Sequence, residues 1–207
     1  MQAWTIVPIR GLATGKTRLA PALDAAERMQ LCTRMLCNTL DAVEATFGGL
    51  DRCIVVSGDA AARTIAAQRG ARTLADPEGA GLDGALDAAR AAACIEGATR
   101  LLVLSADMPD LDHAALQALL QSAGSAQPVL LADKCGTGTN GMLVPADLPL
   151  SFAFGPDSLR RHRAALAGRG IAATCWDDPR LAFDIDTPAD LDAWRAATAA
   201  MHPLRAG

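Results

Sequence analysis

The sequence has no excess of positive charge, no long apolar run, no paired cysteine motif and no internal repeat, and the first three of these absences each remove a class of function. Its 19 lysines and arginines face 23 aspartates and glutamates, a net charge of -4. Broad binding to a nucleic-acid backbone needs a basic face, so no nucleic-acid partner is expected and any phosphate chemistry must be local. No stretch approaches the roughly 18–20 apolar residues of a spanning helix, so no membrane partner is expected either. The opening MQAWTIVPIR lacks the basic start and apolar core of a signal peptide, which makes the cytoplasm the expected compartment. Cys32, Cys37, Cys53, Cys94, Cys135 and Cys175 form no C-x-x-C pair, and most have apolar neighbours. They read as small buried thiols rather than disulfides or zinc ligands. No serine or cysteine nucleophile pattern accompanies His162, which reads as a surface residue and not a catalyst.

What the sequence does have is alternation. With 207 residues, 51% of them hydrophobic, it can fill one sizeable core, and a single domain over 1–207 is expected. The short apolar runs WTIVPI, CIVVSG, RTLAD and RLLVLSAD alternate with alanine-rich helical stretches at 24–46, 59–69, 82–96 and 112–122. That rhythm predicts an α/β fold, a mainly parallel sheet with helices on both faces. After PVLLAD (128–133) the rhythm breaks, because NGMLVP, Phe152–Phe154, 157–168 and ATCW arrive without regular crossovers. A mixed second half follows. LAFDIDTPADLDAW predicts a closing strand and then a last helix with Pro188 in its first turn.

In open α/β sheets ligands bind beyond the carboxyl ends of the strands, so the residues just after each apolar run carry the most information. Gly11 and Gly15 in GLATGKTRLA enclose three residues, one short of a P-loop. Their backbone still allows close approach to phosphate, with Arg10, Lys16 and Arg18 supplying charge; a solvated basic turn is the other reading. Asp107 ends LLVLSAD and should emerge into the crevice. Asp184 and Asp186 form D-x-D on an expected strand, whose period of two puts both carboxylates on one face. Side by side they repel unless a cation intervenes, and three oxygen ligands suit Mg²⁺ rather than zinc. Helix capping is the other reading of Asp186. GTGTN (136–140) is either an anion-binding turn or a plain hairpin turn. In FGPDSLRRHR, Gly155 and Pro156 open a helix whose N-terminus offers an anion site with Ser158 as donor; an ordinary cap at Asp157 with exposed arginines is the alternative.

Taken together, VPIRGLATGKTRLA, LSADMP, GTGTN, FAFGPDSLRRHR and FDIDTPADL resemble the 2-phospho-L-lactate guanylyltransferase family of deazaflavin coenzyme F(420) biosynthesis, from residue 4 to about 195. The resemblance implies a three-layer, Rossmann-like fold of the nucleotide-diphospho-sugar transferase type, with a GTP-binding half (1–125) and an acceptor and metal half (126–207). It implies transfer of GMP from GTP to 2-phospho-L-lactate, phosphoenolpyruvate or 3-phospho-D-glycerate, releasing pyrophosphate. Asp107, Asp184 and Asp186 would bind two Mg²⁺; Thr139, Gly155 and Ser158 would hold the acceptor phosphate. Gly11, Gly15, Lys16, Arg18 and Asp83 would face the nucleotide, with Lys16, Arg18 and Asp107 in the chemistry and Arg10 toward the acceptor. Two positions depart from the pattern: Arg10 stands where a lysine is implied, and Gly81-Leu82-Asp83 where G-L-N is implied. A guanidinium grips paired oxygens, whereas Asp83 in place of an amide removes a donor near the nucleotide. Other readings are a molybdopterin or sugar-1-phosphate nucleotidyltransferase, or a phosphoacid-binding regulatory module without catalysis. The partners expected are small molecules, and oligomeric state is open, a homodimer included.

Overall fold

Strands buried on both faces read as unbroken apolar runs, and four such runs build the centre of this molecule. The computed structural model describes residues 2–77, 79, 81–122 and 127–201. Its strands are β1 (Ala3–Pro8), β2 (Cys53–Val56), β3 (Arg72–Leu74), β4 (Arg100–Leu104), β5 (Val129–Ala132), β6 (Thr139–Pro145) and β7 (Thr174–Trp176). Its helices are α1 (Ala25–Phe47), α2 (Ala60–Gln68), α3 (Gly81–Ile95), α4 (His113–Ser122), α5 (Ser158–Ala167), α6 (Pro179–Ala182) and α7 (Pro188–Met201). The strands form one sheet in the order β3-β2-β1-β4-β6-β5-β7. Only β6 runs against the rest, antiparallel to both β4 and β5, so the expected mixed, mainly parallel sheet is what forms.

Alternate residues of each strand feed two cores. Val7, Val55, Leu102, Leu104 and Leu131 pack on one face with α1, α2 and α4. Ile6, Ile54, Leu101, Val103 and Leu130 pack on the other with α3 and α5. Three layers result. Helix α1 starts at a capping box, in which Asp24 accepts from Glu27 N–H and Glu27 accepts from Asp24 N–H, and it stops at Gly48 in the left-handed region. A third, smaller core joins Leu19, Leu23, Leu31 and Met35 to Ile185 and Leu191.

Three expectations need correction. No closing strand forms at LAFDID: Pro179–Ala182 make a helical turn capped by Asp178, and residues 183–186 belong to no helix or strand. The Asn140 amide takes the Leu181 and Ala182 carbonyls instead (3.1 and 2.9 Å). His162 is not a surface residue but fully buried. It shares the inward stripe of α5 with Ser158, Leu159 and Leu166, spacing a helix places on one side. Of the six free cysteines only Cys32 and Cys53 are buried, while Cys94, Cys135 and Cys175 are exposed, because hairpin, edge strand and outer helix side all meet solvent.

Candidate functional site

The loop after β1 is closed by its glycines. Gly15 N–H donates to Gly11 O at 2.9 Å, and a Cβ on Gly15 would sit 2.6 Å from that same carbonyl, so the turn needs glycine there. Leu12 N–H is taken by the Asp59 carboxylate at 2.8 Å, and that bond holds the Asp59 carboxyl below its usual range. Lys16 follows at φ 52°, a left-handed conformation uncommon for lysine. It turns its ammonium inward, 2.7 Å from Asp107 Oδ2 and 2.6 Å from Asp186 Oδ1. Arg18 stays largely exposed, 3.9 Å from Asp186.

Asp107 follows β4, accepts from Ser105 Oγ and meets the acidic segment through its own carbonyl, which accepts from Ile185 N–H at 3.2 Å. Asp184 and Asp186 lie with Asp107 while Ile185, between them, turns into the third core. Carboxylate oxygens of Asp107, Asp184 and Asp186 lie within 4.8 Å of one another. Their environments differ. Burial pushes Asp107 up, but the Lys16 ammonium outweighs it and holds the carboxyl below its usual range. Burial and then the Asp107 charge push Asp184 above its usual range, with Lys134 opposing. Lys16 itself is raised because the two carboxylates overcome the burial that would lower it. Such a set of hard oxygens, with charge to spare, fits a hard divalent cation.

Sequence reasoning missed several braces. Lys134, just past β5, donates to Asp184 O at 2.6 Å and Asp184 Oδ1 at 3.0 Å, and reaches Asp190 at 3.2 Å. Its place after a strand was the signal. Asp190, inside the quoted D-T-P-x-D pattern, accepts from the backbone N–H groups of Asp186 and Thr187, so it fixes the angle at which Asp186 leaves the chain. Asp186 does not cap α7.

The opposite lip of the crevice is built where β6 meets α5. Thr139 starts β6 and is buried, with Oγ1 3.1 Å from His162 Nδ1. Leu159 N–H donates to Thr137 O at 3.1 Å, hanging the first turn of α5 on the β5–β6 hairpin. Gly155 is left-handed at φ 98° and Ser158, the first residue of α5, is 1% exposed. Asp157 is left-handed and makes no side-chain cap, so the ordinary-cap reading does not hold; Arg160 and Arg161 are exposed.

Asp83 does not face open solvent. Its Oδ1 accepts from Phe154 N–H at 2.9 Å, a bond that ties α3 to the loop carrying Gly155 and that asparagine could make through its own carbonyl oxygen. Arg10 lines a cavity of about 240 Å³ with Pro8, Val56, Asp76, Gly81 and Leu82. Thr139, Gly155 and Ser158 are not among its lining residues.

A family model described as guanylyl transferase CofC like matches residues 3–194. A phosphoenolpyruvate guanylyltransferase of Conexibacter woesei is 38% identical over 94% of this chain and 88% of its own. One of Rubrobacter xylanophilus is 37% identical over the full length of both. Among solved structures, a nucleotide-diphospho-sugar transferase from Desulfovibrio desulfuricans G20 superposes with a TM-score of 0.72 at 15% identity, covering 100% of this chain and 92% of that one. At that identity the likeness speaks for the fold alone, which is of the nucleotide-diphospho-sugar transferase type.

Proposed function

The chain belongs to the guanylyl transferase family described as CofC like, and from that premise we propose that it moves GMP from GTP to phosphoenolpyruvate in coenzyme F(420) biosynthesis. The relatives' names favour phosphoenolpyruvate over 2-phospho-L-lactate and 3-phospho-D-glycerate. One observation carries the reading: three carboxylates from two distant segments converge beside the lysine of a glycine-closed loop. The cytoplasm is the proposed compartment; among the described residues no helix is long and apolar enough to cross a membrane.

An acceptor phosphate monoester has a second pKa near 6, so at neutral pH it is largely a dianion and attacks without a general base. Its oxygen bonds to the α-phosphorus of GTP as the bond to the β-phosphate oxygen breaks and pyrophosphate leaves. Mg²⁺, as two ions held by Asp107, Asp184 and Asp186, would screen the attacking and leaving oxygens. Lys16 and Arg18 take the charge of the departing pyrophosphate, with Gly11 and Gly15 letting the backbone approach it. Thr139, Gly155 and Ser158 hold the acceptor phosphate at the start of α5. In this division the nucleotide lies against the first half, 1–125, and the acceptor against 126–207, with Asp107 reaching across to the metal. Incubation with GTP, Mg²⁺ and each of the three acids, read as pyrophosphate release and the mass of the product, tests the reading. No guanylylated product with any acid would remove it.

Two substitutions sort the pockets. Ser158→Ala should raise the acceptor KM roughly three- to tenfold, the loss of one donor to an anion, with GTP KM unmoved. A rise confined to GTP KM would exchange the two pockets. Arg10→Lys, which replaces a fork by a point charge, should change the ranking of kcat/KM among the three acids more than it changes GTP KM. Because Arg10 lines the cavity at the start of α3, an unchanged ranking with a raised GTP KM would assign it to the nucleotide.

A further inference from the structure

Among the buried titratable groups that the chemistry above leaves unused, one lies against Thr139. His162 is fully buried, and both its ring nitrogens are engaged. Ala153 N–H donates to Nε2 at 3.0 Å, so Nε2 presents a lone pair and carries no proton. Burial lowers the imidazole to about 4, with Asp83 pulling the other way and Arg161 adding to the drop. At neutral pH the ring is therefore uncharged, and its single proton sits on Nδ1. Nδ1–H then points at Thr139 Oγ1, 3.1 Å away, and occupies one of that oxygen's lone pairs. The hydroxyl hydrogen of Thr139 must turn away from the ring. A backbone N–H thus fixes a tautomer, and the tautomer fixes a hydroxyl rotor. The Phe154 and His162 rings pack edge to face, with centroids 5.0 Å apart and planes at 70°, which holds the imidazole plane.

We propose that His162 is a positioning residue that commits Thr139 to donate its hydroxyl hydrogen to the acceptor phosphate while locking the loop at Ala153 in register with it. The proposal rests on the reading of Thr139 as an acceptor-phosphate ligand. A free threonine hydroxyl donates or accepts with equal ease; one already accepting from an imidazole is kept as a donor. A phosphate dianion offers only acceptors, so this arrangement suits it without adding a charge to the pocket.

Asparagine at 162 places an amide near the Nδ1 position and keeps a donor for Thr139. Glutamine reaches the Nε2 position, keeps an acceptor for Ala153 N–H and leaves the Thr139 rotor unset. With phosphoenolpyruvate and GTP, read by pyrophosphate release, His162→Gln should raise the phosphoenolpyruvate KM about tenfold and His162→Asn less than about threefold, with GTP KM unmoved in both. In a Thr139→Val background His162→Gln should add nothing further. Equal rises in the two variants, or a His162→Gln effect that persists in that background, would overturn the proposal and leave His162 a packing residue. An unchanged phosphoenolpyruvate KM in Thr139→Val alone would instead remove Thr139 from the acceptor site, and the proposal with it. Independently of any variant, the nitrogen resonances of the wild-type imidazole should show the proton on Nδ1; a proton on Nε2 would overturn the proposal outright.

Discussion

Replacing Asp186 by asparagine is expected to lower turnover at least roughly a hundredfold while the fold survives. The side chain of Asp186 is 42% exposed and its partners are Lys16 and Arg18, so the uncharged isostere takes no packing from the core. It halves the D-x-D charge at the point where the proposed reaction brings two phosphate-bearing substrates together. Asp184→Asn should lose as much turnover, but with a larger stability change, since Asp184 is buried against Lys134. Steady-state kinetics across a Mg²⁺ titration, with thermal melting alongside, separate the two effects. Near-normal turnover in a folded Asp186→Asn protein would take the metal away from this cluster.

Lys16→Met should have the second large effect, and in two currencies. Lys16 is the cation nearest both Asp107 and Asp186, and its side chain is only 11% exposed. Without it the three carboxylates repel one another, and breaking so enclosed an ion pair destabilises by about 1–3 kcal/mol once partial exposure is allowed for. For a chain of this size that is a fall of roughly 3–10 °C in Tm. Mg²⁺ should restore more Tm to the variant than it adds to the wild type, because a cation binding only the folded state replaces the missing charge. Turnover should still fall at least roughly a hundredfold, through loss of the group proposed to receive pyrophosphate. An unchanged Tm without Mg²⁺ would mean that solvent already screens these carboxylates from one another.

The sheet was legible because its signal is local: apolar runs spaced by helices, then a break in that spacing where β6 reverses. The crevice was legible by a rule of position, since Lys16, Asp107 and Thr139 all lie near the crevice ends of strands. Illegible were facts that depend on who faces whom. The stripe of Leu159, His162 and Leu166 was there to be counted, yet a histidine among arginines reads as exposed until β6 is seen beneath it. LAFDID reads as a strand end, yet its first two residues, Leu181 and Ala182, close helix α6, and their carbonyls accept from the amide of Asn140, some forty residues earlier in sequence. Asp83 drew attention as a lost amide, although its oxygen serves the backbone of Phe154.

Ile185 sits between the two carboxylates of the acidic segment and is buried with Leu19, Leu23, Leu31, Met35 and Leu191. That small core stitches the beginning of the chain to its far end, and a contact of such sequence separation carries more loop-closure entropy than a local helix does. The placement of Asp184 and Asp186 beside Asp107 therefore depends on a contact between distant parts of the chain rather than on the sheet. It follows that a substitution loosening Ile185 from this core is expected to move the acidic segment away from Asp107 while leaving the sheet in place.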